Sequence, residues 1–262
     1  MILGYSTPIT KPSTGISYTG PALTSLAGLK DGRPGSLTLL EWAGTPAIRA
    51  SWDTAIVPRV AALINTSLPV GVDVAVSLKR PSEAYDYQTQ NLTIVELPNG
   101  ERGCIAVWPA DLDPCDGIEW ALSGSSMADE DEFSVGELWV SAGEELCIRS
   151  TWEDGATRSG EGVSINGSLY VFPDAPRRTL SVEVVPQTYE RAFLQQTALQ
   201  DVKRALSEDA RCFVVVDEAT QQTRERTGRY CRTTNVGAIR GEPAGRYFSM
   251  RLETEELVGR IA

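Results

Sequence analysis

A chain of 262 residues, 42% of them hydrophobic, can bury a substantial core as one large β domain or two smaller ones. Its formal charge of −11 opposes a phosphate backbone and argues against sequence-specific nucleic-acid binding. The absence of histidine removes every Ser/His/Asp or Cys/His triad and every histidine-ligated metal site.

Residues 1–20 are rich in Thr, Ser, Pro and Gly with isolated Ile and Tyr, so they are expected to form an extended N-terminal arm. Such an arm is either disordered or laid on a neighbouring subunit. Its first eight residues have no basic stretch and no sustained apolar run, so no signal peptide is expected there. No apolar stretch approaches the ~20 residues that span a bilayer. From about residue 37 the pattern is that of strands. Val70, Val72, Val74, Val76 and Leu78 alternate with Gly71, Asp73, Ala75 and Ser77, a period of two that turns one face inward. Short runs follow at 92–97, 103–108, 118–122, 135–140 and 145–151. Turn clusters such as Pro98-Asn99-Gly100, Asp116-Gly117 and Ala142-Gly143 separate them. Many short strands without intervening helices predict an antiparallel β-sandwich, or jelly roll, over 21–175.

Residues 153–168 are rich in Gly, Ser and charge and read as a long loop or linker, with a domain boundary near Pro173-Asp174-Ala175-Pro176. The remaining part, 176–262, has a different order. Leu180, Val182 and Val184 alternate as in a strand. Residues 192–206 carry Leu199, Val202 and Leu206 on one helical stripe. Strands follow at 212–216, around 229–233, and at 247–252. This predicts a smaller α+β domain with one helix, and the chain as a whole is expected to be mainly β.

The stretch Asp111-Leu-Asp113-Pro-Cys115-Asp116-Gly117 invites a calcium reading, but an EF-hand loop needs an oxygen ligand at its fifth position, Gly at its sixth and Glu at its twelfth. Those positions hold Cys115, Asp116 and Leu122, so an acidic turn is expected instead. The run Asp129-Glu130-Asp131-Glu132 reads as a solvated loop. The five cysteines, Cys104, Cys115, Cys147, Cys212 and Cys231, include no CxxC and fit a reducing compartment. Cys147 and Cys212 sit in apolar runs as buried thiols, and Cys104 and Cys115 could meet across a hairpin. Trp108, Trp120, Trp139 and Trp152 lie on strand runs, where a tryptophan serves a core or interface or, if exposed, stacks on a sugar. Arg224, Arg226, Arg229 and Arg232 read as a solvated or subunit-facing edge of a strand pair. The Asn-x-Ser/Thr triplets at Asn65, Asn91 and Asn166 read as turn chemistry. No phosphate loop, GxSxG elbow or dinucleotide fingerprint occurs. No catalytic, cofactor-binding or metal-binding residue is therefore assigned, and an enzyme is not expected.

Two segments carry a family resemblance. The first runs from Leu29-Lys-Asp31-Gly32-Arg33-Pro34 through Arg59-Val-Ala-Ala-Leu63-Ile-Asn65-Thr-Ser-Leu68-Pro69 to Val135-Gly136-Glu137-Leu138-Trp139. It resembles the discoidin-like, galactose-binding-type jelly rolls of phage virion proteins. The second, 177–257, is similar to the ring-forming, tail-tube-like domain of distal tail proteins, in which Arg229, Arg232, Arg246 and Arg251 would face a channel or a neighbour. The resemblance implies a structural protein of a bacteriophage tail, a distal tail or baseplate component made in the host cytoplasm and carried in the virion. Its implied partners are copies of itself, as a hexameric ring or a trimeric tip, and other tail proteins, with no cofactor. Lacking histidine and a calcium loop, the chain departs from glycan-binding members of the family. The alternative reading is a carbohydrate-binding module for host surface glycans.

Overall fold

The structure, a computed structural model, describes residues 1–146, 148, 153–157, 161–163, 169–171, 177–185, 192–241 and 248–257. It is mainly β, an antiparallel sandwich followed by a smaller α+β part. The sandwich strands are β1 (Ile2–Tyr5), β2 (Gly15–Tyr18), β3 (Thr38–Glu41), β4 (Ala47–Ile56), β5 (Val60–Thr66) and β6 (Asp73–Lys79). They continue with β7 (Thr89–Thr93), β8 (Val95–Glu96), β9 (Arg102–Val107), β10 (Cys115–Ser123) and β11 (Glu132–Glu145). Then come β12 (Glu153–Thr157), the small pair β13 (Glu161–Val163) and β14 (Leu169–Val171), and β15 (Arg177–Val184). The chain closes with helix α1 (Ala192–Glu208), β16 (Arg211–Val215), helix α2 (Gln221–Thr227), β17 (Gly228–Val236), β18 (Arg240–Gly241) and β19 (Phe248–Glu256).

One sheet has the order β2-β4-β10-β6-β7, and a much wider one runs β12-β15-β19-β17-β16-β1-β11-β5-β9-β8. The chain crosses between them from β4 to β5, β5 to β6, β9 to β10 and β10 to β11, the winding of a jelly roll. Inward residues of both sheets share one core: Val74, Val76 and Leu78 of β6 and Trp120 of β10 meet Leu63 of β5 and Leu138 of β11. The period-two run is borne out from Val72 onward. Val70 instead lies 57% exposed, because a turn with Gly71 at φ +91° precedes the strand.

The expected arm is two strands. β2 forms the edge of the five-stranded sheet, with Gly15 opposite Ser51. β1 lies inside the wide sheet, where Ile2 faces Glu145 of β11 on one side and Val215 of β16 on the other. Successive strand residues point to opposite faces. Ile2 therefore enters the core around Trp139 and Phe213, while Leu3 enters the one beneath α1. Four residues thus bury two side chains and satisfy backbone groups on both edges, a gain that their Ser-, Thr- and Pro-rich surroundings conceal.

The stretch read as a linker also contains strands. β12 pairs with β15, Thr157 opposite Arg177, and β13 pairs with β14. The chain on either side of the expected boundary thus shares a sheet. The boundary at 173–176, with Cys147, Trp152, Asn166, Arg246 and Tyr247, lies outside the described residues.

Helix α1 sets Leu199, Val202 and Leu206 on Leu180, Val182, Val184, Met250 and Leu252, the stripe expected from sequence. A second helix, α2, was not expected. Thr220 caps it, with reciprocal Thr220–Thr223 bonds, so Arg224 and Arg226 are helical. Of the two arginines on a strand Arg232 is exposed, whereas Arg229 is buried within the chain and does not form a solvated or subunit-facing edge. On its other face the wide sheet curls around a third core holding Ile2, Trp139, Phe213 and Tyr230. Gln221 of α2 donates to the Ile105 carbonyl of β9 at 3.0 Å, and Asn99 donates to Glu256 at 3.3 Å, closing the curl. Cys104 and Cys115 do not join: the chain between them crosses from the wide sheet to the other, and both thiols are free and buried. Among the described residues no helix is long and apolar enough to cross a membrane.

Candidate functional site

Two polar clusters stand out, one on the outer face of the five-stranded sheet and one buried beside the wide sheet. Strands β4, β10 and β6 run side by side, so their outward residues form rows. Arg49 lies opposite Glu119, and Glu119 opposite Ser77. The Arg49 guanidinium donates to the Glu119 carboxylate, and Ser77 Oγ is 2.8 Å from Thr89 Oγ1. One row further on, Gly117 leaves the surface bare, and Tyr85 from the β6–β7 connection covers it. A Cβ at Gly117 would sit 3.2 Å from the tyrosine Cε1.

Arg49 and Lys79 flank that ring, 5.4 and 6.0 Å from its centroid, and Lys79 pairs with Asp116 at 2.9 Å. Beside it, Arg80 lies 4.4 Å over the Tyr87 ring and bridges Glu83 at 2.7 Å and Asp113 at 3.0 Å. The Tyr87 hydroxyl accepts the Asp113 amide at 3.0 Å. Both rings are half-buried. Burial holds the Tyr85 phenol above its ordinary value against the pull of Lys79 and Arg49, so it stays neutral. The carboxylates of this cluster are committed to cations. The arrangement offers aromatic surface beside fixed donors and acceptors, not a nucleophile or a general base.

These partners also explain why the 111–117 stretch is an acidic turn: Asp113 and Asp116 are held by Arg80 and Lys79. In the run 129–132, Asp129 accepts the Gly44 amide and Asp131 the Ala128 amide, each within 2.8 Å, so it is a tied turn. Among the described residues no acidic or cysteine group is arranged to hold a metal ion. Trp108, Trp120 and Trp139 are core residues, at most 3% exposed. Asn65 is buried and donates to the Pro34 carbonyl at 2.7 Å. The aromatic surface comes instead from Glu83-Ala-Tyr85-Asp-Tyr87, whose signal was two tyrosines amid charges in a turn between strand runs.

The buried cluster gathers all three pieces of the jelly-roll resemblance. The loop 31–34 packs on Asn65 and on Gly136, where a Cβ would come within 2.2 Å of the Pro34 carbonyl oxygen. Beneath it Glu137 is wholly buried, and no donor closes a sound hydrogen bond onto either carboxyl oxygen. Burial, then Asp31, pushes this carboxyl up to about 9, against the opposing fields of Arg211 and the Gly32 and Arg33 amides. Arg211, held by Asp209 at 2.7 Å, lies across Gly32, whose φ of +74° and missing side chain make room for the guanidinium. The three segments carry one resemblance in the sequence, where nothing local gives Glu137 a role.

No protein-family model and no curated protein matches this sequence. Solved carbohydrate-binding domains share part of its shape. The lectin domain of lectinolysin complexed with Lewis B antigen is 14% identical, with a TM-score of 0.40, over 51% of this chain and 94% of that one. A fucose-binding module of Streptococcus pneumoniae is 10% identical, with a TM-score of 0.40, over 51% and 94%. The family 32 module of NanJ from C. perfringens, in complex with galactose, is 12% identical, with a TM-score of 0.38, over 53% and 98%.

Proposed function

We propose that this chain is a non-catalytic carbohydrate-binding protein whose contact surface is the Tyr85–Tyr87 rim. The observation that carries the reading is the pair of half-buried rings set among hydrogen-bonding groups already fixed by ion pairs. A sugar presents an apolar ring face for an aromatic and hydroxyls for charged donors and acceptors. Because Arg49, Lys79 and Arg80 are held in place before binding, little side-chain entropy is lost on contact. Wild-type protein on a glycan array is expected to show hits. The Tyr85→Ala/Tyr87→Ala variant should lose about tenfold or more in affinity. Because Tyr87 packs on the core and accepts the Asp113 amide, the variant should also melt at a lower temperature while keeping a cooperative transition. An empty array, or equal affinity of the variant, would overturn the reading.

A second reading, a structural component of a phage tail carried in the virion, is favoured by a different feature. The side of β15 and β19 turned away from α1 carries Glu183, Arg251, Glu253 and Glu255, with Arg232 beside them. A groove of about 450 Å³ opens there between Glu183, Asn235, Arg240 and Arg251. Cations and anions in alternate rows are self-complementary and suit a repeated contact between copies. Arg232→Glu/Arg251→Glu is expected to shift light scattering of the purified chain from oligomer to monomer. A wild-type chain that is already monomeric and absent from particles would remove this reading.

A further inference from the structure

Cys212 and Cys231 are register partners on β16 and β17, directly opposite each other. Two residues along the same ladder the Thr233 amide donates to the Ala210 carbonyl at 2.7 Å, which makes 212/231 a hydrogen-bonded position. On the far side of β17 the Leu257 amide donates to the Tyr230 carbonyl at 2.8 Å, so alternate residues bond to alternate neighbours as this assignment requires. Directly opposite residues at such positions have Cα atoms about 5.5 Å apart, inside the Cα window of a disulfide. Their Cβ atoms stand at the wide end of a range of about 4.5–5.5 Å, so closing the bond draws the two strands together locally. Both side chains lie on the α1 side, in the core with Leu199, Val202 and Leu206, and both thiols are free and wholly buried. Cys212 Sγ is 3.6 Å from Thr233 Oγ1. Neither cysteine belongs to the rim or to the outward face of β15 and β19.

We propose that Cys212 and Cys231 form an oxidation site that closes a cross-strand disulfide between β16 and β17 when the chain meets a two-electron oxidant of the peroxide class. One thiol, as its thiolate, attacks a peroxide oxygen; a sulfur–oxygen bond forms, the oxygen–oxygen bond breaks, and water leaves after protonation. The second thiol attacks that sulfenic sulfur; the sulfur–sulfur bond forms, the sulfur–oxygen bond breaks, and a second water takes the oxygen and the remaining proton. Two thiols are oxidised by two electrons and one peroxide is reduced. Burial pushes the Cys212 thiol up to about 12 and holds the Cys231 thiol well above its ordinary value, so the closed core holds thiols, not thiolates. Oxidation therefore proceeds through opening of the core beneath α1, at a rate that mild denaturant accelerates.

The test treats the full chain with hydrogen peroxide, alkylates remaining thiols in denaturant and maps peptides by mass spectrometry. The expected product is one linked peptide joining Cys212 to Cys231, reversed by dithiothreitol. Its melting midpoint should rise on the order of 5 °C. Cys212→Ala is expected to abolish the link and the rise, while Cys104→Ala leaves both intact. Free alkylation of both cysteines after treatment, their conversion to sulfinic acid without a link, or a link to any other cysteine would overturn the proposal.

Discussion

Replacing Glu137 by glutamine is expected to flatten the fall in stability that the wild type shows as pH rises. Between pH 4 and pH 8 the advantage of the variant should grow by on the order of 2–4 kcal/mol. The unfolded carboxyl releases its proton near 4.5, whereas the folded one holds it to about 9. In that window the folded chain keeps a proton that the unfolded chain has lost. The contribution is fully present below the unfolded value and falls away as pH rises toward the folded one. Glutamine keeps the side-chain shape and titrates nowhere, so the contribution of this group to the slope disappears with it. The charged and titrating groups around the site are Asp31 and Arg33 on the covering loop, Asp209 and Arg211 before and on β16, and Tyr230 on β17. Arg211 is already engaged by two hydrogen bonds to Asp209, at 2.8 and 2.7 Å, and so does not neutralise Glu137. Urea titrations of both proteins at several pH values decide the matter. A constant gap from pH 5 to pH 8 would show that Glu137 is ionised and paired, contrary to this account.

The parts of the fold legible in the sequence are those with a long enough period. Val72 to Leu78 announced β6, and Leu199, Val202 and Leu206 announced the face of α1. The strand at Cys212 showed itself as a run apolar on both faces, and the structure gives the reason. Cys212 and Val214 face α1, while Phe213 and Val215 face the curled core. α2 has no apolar stripe and no buried residue, so only its Thr220–Thr223 cap could have revealed it. The buried carboxyl was illegible for another reason. Glu137 is an acidic residue set between the apolar runs of β11, and its environment comes from residues about a hundred positions upstream and seventy or more downstream. The rim is similar: Tyr85 gains meaning only when β4, β10 and β6 bring Arg49, Gly117 and Lys79 together. Chemistry assembled across strands leaves no local pattern.

The four residues of β1 are expected to decide whether the two parts of the chain fold as one. Deleting residues 1–5 removes the strand that joins β11 to β16, takes Leu3 from the core beneath α1 and takes Ile2 from the curled core. Truncating one buried Leu or Ile to alanine costs about 2–5 kcal/mol. A domain has only about 5–15 kcal/mol to lose, so losing both side chains and two ladders of hydrogen bonds exceeds what the smaller α+β part can bear. The sandwich core, built from β4, β5, β6, β10 and β11, contains neither residue and should survive. In hydrogen exchange the truncated chain is expected to lose protection at β16 and β17 and to keep it at β6 and β10. Leu3→Ala should give a milder version, with β16 amides exchanging faster than those of β10. If the segment instead served as an arm onto neighbouring subunits, deletion would leave every strand protected and abolish only assembly. The two readings therefore predict opposite results in the monomer. The pairing of Ile2 with both Glu145 and Val215 places the strand inside its own chain, where its loss is a loss of fold.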